Sequence, residues 1–273
     1  MDTTAPVREA RSHGHKVGQS RGFCWFARFG IAARGVVYVV IGFLAIKLAL
    51  GDGGKATDQQ GAMATIAKQP AGTLMLAAVA IGLLGYASWR LLRAALGGTQ
   101  GQDDLKDRVD GIASGISYAI LFLGAVKILA GSGGGGANAD QAAGGVLGWP
   151  AGPWLVGIAG LVLIGVGLQQ GYKGVTRKFM EETDTQSMSG PVEHAYSALG
   201  IFGHLARMAV FGLIGWFVIK AAIEFDPDKA VALDGALAKL AHAPYGPVLL
   251  GFVAAGLIGF GAFSLVESRY RRV

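Results

Sequence analysis

One apolar run constrains this chain more than any other feature. From Arg28 to Leu50 it reads RFGIAARGVVYVVIGFLAIKLAL. At about 1.5 Å of rise per residue, roughly 20 residues cross the ~30 Å hydrocarbon core of a bilayer, so a run of this length is suited to span one. The run returns twice in altered form. Gly30, Ala33, Arg34, Tyr38 and Lys47 reappear as Gly203, Ala206, Arg207, Phe211 and Lys220, and more weakly as Asp110, Ala113, Ser114, Tyr118 and Lys127. Such internal periods decide the fold before any local reading does.

Five further runs accompany the first. The apolar pattern places spans near 29–50, 72–96, 109–130, 152–172, 199–222 and 246–266. Each is apolar nearly all round, where a surface helix would carry a polar stripe. The even spans match as well: Leu83-Leu84-Gly85, Leu163-Ile164-Gly165 and Leu257-Ile258-Gly259 stand at one distance from Pro70-Ala71-Gly72, Pro150-Ala151-Gly152 and Pro244-Tyr245-Gly246. Proline suits the position just before a helix. The unit is therefore span, short outer helix, span. The last outer helix is expected within 230–241, with Leu233, Leu237 and Leu240 on one face.

The predicted organisation is a flexible cytoplasmic tail (1–22), repeat 1 (23–98), repeat 2 (99–178), a mobile acidic inner linker (179–194) and repeat 3 (195–273). The fold class is all-α: a polytopic membrane protein of six transmembrane helices in three parallel hairpin repeats. Units with two spans share one orientation, and parallel repeats are related by an axis along the membrane normal. They could close into a pseudo-threefold bundle or pack in a row. Small residues four apart suggest packing seams at Gly251, Ala255 and Gly259 and at Ala78 and Gly82.

Charge gives the orientation. Lys and Arg gather in the tail, in the second and fourth connections and at the C-terminus, so both termini are expected in the cytoplasm. Only 15% of the 273 residues are charged, against about 25% in a soluble domain. The net charge of +6 sits at the ends of apolar runs, so no nucleic-acid partner is expected. The tail is not read as a signal peptide, because the run after it is too long and no small-residue cleavage site closes it. Cys24 is the single cysteine, which excludes an internal disulfide and a cysteine metal cluster.

The stretch FARFGIAARGVVYVVIGFLAIKLALG resembles the signature of a bacterial membrane family, domain of unknown function 1206, whose members carry three tandem two-helix units. The resemblance covers nearly the whole chain after residue 22, and is most specific from Gly30 to Tyr38. The middle unit departs from it, with Asp110 for the first Gly and Ser114 for the Arg. It implies a multi-pass protein of the bacterial cytoplasmic (inner) membrane. It implies no activity.

Lys47, Lys127 and Lys220 are candidates for a ring near the outer face that would attract anions or lipid phosphates, or they simply reach for the headgroups. Arg34 and Arg207, with Ser114 as third member, lie one to two turns inside the inner boundary. An arginine there needs a partner, and helix-end carbonyls, Asp110 and Glu267 are candidates. Gln169, Gln170 and His204 are further intramembrane polar residues. No phosphate loop, dinucleotide fingerprint, zinc helix or nucleophile elbow occurs. No metal or cofactor is expected, and no enzymatic activity. The first expectation is a non-enzymatic membrane component: an accessory or structural subunit, or a lipid-binding protein. The alternative is a channel or transporter for a small solute or anion. Expected partners are the lipid bilayer and either another membrane protein or further copies of the chain.

Overall fold

The computed structural model describes residues 21–96, 105–132 and 139–271. The expectations for the tail up to residue 20, for residues 97–104 and for the glycine run 133–136 lie outside these. The described chain forms nine α-helices: α1 (Arg21–Ala49), α2 (Gln59–Ala67), α3 (Gly72–Leu96), α4 (Leu105–Leu129), α5 (Ala139–Leu147), α6 (Gly152–Val175), α7 (Gly190–Glu224), α8 (Leu233–Ala241) and α9 (Gly246–Tyr270). Six are long and apolar enough to cross a membrane. The other three, α2, α5 and α8, are the short helices expected in the outer connections. This is a polytopic membrane fold of three repeated units. Its two ends are called here the short-helix end and the terminal end.

Local chemistry sets the short helices. Asp58 caps α2, its carboxylate accepting from the Gly61 amide at 2.7 Å. Met63 and Ile66 of α2, and Leu233 and Leu237 of α8, are buried. Trp149, Trp154, Phe225 and Tyr245 are exposed at this end, at the level where amphipathic rings favour a membrane interface.

The Pro-x-Gly starts are tight turns with a steric purpose. Gly72, Gly152 and Gly246 each donate to the carbonyl three residues back, at 2.7, 2.9 and 2.7 Å. A Cβ on Gly246 would lie 2.4 Å from the carbonyl oxygens of both Leu240 and Ala241, so the short helix ends directly against the start of the span. In two of the turns the middle residue takes a left-handed conformation: Ala71 (φ 59°) and Tyr245 (φ 58°). An L-residue is strained there by about 1–2 kcal/mol, which glycine avoids at some cost in chain entropy. Ala71→Gly should therefore stabilise the fold by about 1 kcal/mol, read as a raised unfolding midpoint in detergent.

The spans pack in a pattern that repeats. Each unit's first span lies against the second span of the preceding unit: α4 on α3, α7 on α6, and α1 on α9. The last pairing joins the two ends of the chain's fold, so the units curl around an axis and do not form a row. Within units, α1 packs on α3 and α7 on α9. The third such pairing, α4 with α6, is marginal among the described residues. The ring is closed on five sides and open on the sixth. Burial agrees: the apolar stretches of α4 and α6 are the least buried, at 17% and 22%, with α7 at 28% and α1, α3 and α9 at 50%.

Three equivalent glycines mark the opening. Gly85 on α3 and Gly259 on α9 are buried against their own unit's first span, with Phe26 and with Phe202 and Leu199. Gly165 on α6 is exposed, and a Cβ there would meet nothing within 4 Å. Elsewhere the backbones approach closely. A Cβ on Gly215 would lie 2.7 Å from the Gly160 carbonyl oxygen, and one on Gly42 2.7 Å from that of Ala254. The α9 seam against α1 thus uses Ala254 and Gly261. The expected stripe differs: Gly251 faces open space, and Gly259 makes only ordinary contact with α7. A helix this rich in glycine offers several stripes of that spacing.

The linker also differs from its expectation as a mobile connection. Residues 178–189 form two short 3-10 turns, Lys178–Met180 and Thr185–Ser187, and α7 begins at Gly190, well before 199. Phe179, Thr183 and Met188 are buried. The Asp184 amide donates to the Tyr270 carbonyl at 2.9 Å, and Thr183 pairs with Arg271 in an isolated antiparallel bridge. At 35 residues α7 is about 50 Å long, more than a bilayer core needs. Its first turns stand beyond the membrane and give the linker something to pack on.

Candidate functional site: a buried arginine cluster beside the open seam

Arg34 enters the bundle from α1 at a depth that follows from sequence. Thirteen residues separate it from Lys47 at the short-helix end, and the same interval separates Arg207 from Lys220, about 20 Å along a helix. Both guanidiniums therefore lie well inside a ~30 Å core.

Arg34 meets Glu267, one of its candidate partners: Nη2 lies 2.7 Å from Oε2, while its Nε is buried without a hydrogen-bond partner. Nη2 also donates to Ser264 Oγ at 3.2 Å, and Nη1 donates to Tyr118 Oη at 3.5 Å. The guanidinium carbon stands 5.3 Å from the Phe260 ring and 5.7 Å from that of Tyr86. Glu267 also binds Arg271, and Arg271 binds Glu182 of the linker. Two arginines and two glutamates thus form one chain of alternating charge, with Glu267 3% exposed at its centre. Burial opposes the charge on Arg271, but Glu267 and Glu182 outweigh it and hold its pKa above the ordinary arginine value. Beside this chain, Tyr196 and Thr183 share a hydrogen bond of 2.8 Å. Thr183 donates to the Phe179 carbonyl at 3.2 Å.

Arg207 is placed differently. Its guanidinium carbon lies 4.4 Å from the Phe260 ring, 5.4 Å from Phe211 and 5.6 Å from Tyr38. Its Nε is buried without a hydrogen-bond partner. Among the described residues no acid pairs with it. The repeat explains why. Glu267, partner of Arg34 on the neighbouring second span, corresponds to Lys173 on α6, the second span that neighbours Arg207. The second cation stands where the first interface has its carboxylate.

His204, one turn before Arg207, joins the cluster. Its Nδ1 meets Gln170 Oε1 at 2.7 Å and donates to it, since that oxygen can only accept. Its Nε2 is buried and unpartnered, and its ring stacks on Phe179 at 5.4 Å. Arg207, Arg34 and Lys173 are its cationic neighbours.

Ser114 lies partly buried on α4 and donates to the Gly111 carbonyl of its own helix at 3.3 Å. Gln169 is partly buried one position from Gln170. Lys47, Lys127 and Lys220 sit at the short-helix end, the last two exposed, and Lys220 pairs with Glu224 at 3.8 Å. A small, partly open cleft of about 30 Å³ is lined by Arg34, Tyr38, Tyr118, Gln59, Met63 and Leu121 among others. Sequence reasoning missed Glu182, Arg271 and Tyr86. The acidic pair Glu181-Glu182, set in an otherwise basic surface, was the available signal for the first.

The family described as Domain of Unknown Function (DUF1206) matches three times, over residues 29–97, 109–177 and 202–271. The chain belongs to that family. The three matches coincide with the α1–α3, α4–α6 and α7–α9 units, so the family's domain is the helix–short helix–helix repeat. The DUF1206 chain is also 35% identical over 252 residues to the "Uncharacterized protein YxxB" of Bacillus subtilis (strain 168), covering 91% of each. No solved structure matches.

Proposed function

We propose that this DUF1206 chain is a non-catalytic, multi-pass component of the bacterial cytoplasmic membrane, with cytoplasmic termini, that holds a lipid in the seam between α4 and α6. The observation that carries this reading is the ring closed on five sides and open on one. Both helices expose apolar side chains: Ile112, Ile116 and Ile120 on α4, Leu155, Ile158 and Leu161 on α6. An acyl chain fits between such helices, and Arg207, with which no acid pairs among the described residues, complements an anionic headgroup. Arg34, Glu267, Arg271 and Glu182 are tied to one another, which supports a structural role for them over a catalytic one. With the termini cytoplasmic, the cluster falls in the inner leaflet.

Native mass spectrometry of the full chain, released from lipid nanodiscs, tests this. The chain should carry bound lipid. Gly165→Trp should remove it while leaving the unfolding midpoint unchanged, because the new side chain enters open space. Equal lipid retention by the variant would contradict the reading, as would a stoichiometric second protein seated there in its place. A second reading, a channel or transporter for a small anion, draws on the cleft beside Arg34. Anion flux into proteoliposomes would support it, and the lipid reading expects none.

A further inference from the structure

We infer that Arg207 is the receptor for one phosphate group, reached through the seam between α4 and α6, with Lys173 as the second cation. The inference rests on the proposed seam for its route but not for its chemistry.

Arg34 and Arg207 are equivalent residues at equivalent depth, both set against the Phe260 ring at 5.3 and 4.4 Å. One is neutralised by Glu267 at 2.7 Å. On the second span that neighbours Arg207, the position corresponding to Glu267 is Lys173. An arginine inside a membrane is costly unless paired. Its rings supply part of the compensation, since cation–π contacts are worth about 0.5–2 kcal/mol. They leave its buried Nε without an acceptor, as is also the case at Arg34. A phosphate offers several acceptor oxygens, and the guanidinium fork binds two of them at once.

Arg34, Glu267, Arg271 and Glu182 cancel within one chain of ion pairs. Arg90 is a further cation, 5.9 Å from the Tyr86 ring. Among the described residues no acid pairs with Arg207 or Lys173, and both are neighbours of His204. His204 supplies no negative charge. An anionic ligand restores the balance.

Tyr118 on α4 has both Arg34 and Arg207 as charged neighbours, so the first spans of all three units converge here. The one interrupted side of the ring is the α4–α6 side, and α6 is also the helix that bears Lys173. A headgroup can enter there with its acyl chains still in the bilayer.

The phosphate is either a lipid's or a free ion's, and the test separates them. The full chain is placed in nanodiscs of equal phosphatidylglycerol and phosphatidylcholine, and retained lipids are counted by native mass spectrometry. The wild type should retain phosphatidylglycerol about 10-fold over phosphatidylcholine, the scale of one charged hydrogen-bonded contact. Arg207→Gln should erase the preference, Arg207→Lys should keep most of it, and Lys173→Gln should weaken it. Should Arg207→Gln fail to fold, Arg207→Lys and Lys173→Gln read the same quantity. In a second arm, inorganic phosphate is titrated into the chain in phosphatidylcholine nanodiscs. Binding there, lost on Lys173→Gln and kept on Arg207→Lys, with no phosphatidylglycerol preference, assigns the site to the free ion. Retained lipid with no headgroup preference and no phosphate binding overturns the inference and leaves the seam reading standing. Phosphate binding by a chain that retains no lipid does the reverse.

Discussion

Replacing Glu267 with alanine is expected to cost about 3–5 kcal/mol of stability, the usual penalty for removing one partner of a buried ion pair. Glu267 is 3% exposed and serves two arginines at once. Its loss leaves Arg34 with Ser264 and Tyr118 as its hydrogen-bond acceptors, and neither carries charge. Arg271 retains Glu182, so Arg34 should account for most of the penalty. Adding Arg34→Met to Glu267→Ala should therefore recover a large part of it. Unfolding in mixed detergent micelles, followed by circular dichroism, measures both. A cost below about 1 kcal/mol for the single change would mean that water reaches the pair, as it does at a surface.

Gly203→Val is expected to cost about 3 kcal/mol, at the upper end for overpacking. A Cβ on Gly203 would lie 2.6 Å from Phe260 Cα and 2.8 Å from its amide nitrogen. Those are backbone atoms, so α7 and α9 must separate. Phe260 also faces Arg34, Arg207 and Tyr38, so the shift reaches the arginine cluster. Gly251→Val on α9 is the matched control. Nothing lies within 4 Å of its Cβ position, and the same measurement should record little change.

Much of this architecture was legible in the chain. The recurrence of Gly30–Lys47 at Gly203–Lys220 declares the repeat, and Pro70-Ala71-Gly72 and its counterparts declare the helix starts. Length and hydropathy suffice for spans because a bilayer demands both. Closure was not legible: α1 meets α9 through Gly35 and Gly261, at positions no pattern links. Nor was the opening. The middle unit's departures, Asp110 and Ser114, signalled that it is atypical, but not that its two helices part. Arg34 as a buried cation was evident from its depth, and Glu267 stood among its candidate partners. Glu182 was read as part of a mobile acidic stretch. It acquires its role only because α7 extends to Gly190 and holds the linker against Arg271. Three-dimensional neighbours of that kind leave no period in a sequence.

Three equivalent units form a ring left open between α4 and α6, and in the proposed function a lipid fills the opening. An electron cryomicroscopy map of the full chain in lipid nanodiscs, bound to a rigid fiducial, tests this. It should show α4 and α6 apart, with elongated lipid density beside Gly165 and its headgroup end toward Arg207. Direct packing of α4 on α6 through Gly165, as α1 packs on α3 through Gly85, would contradict it.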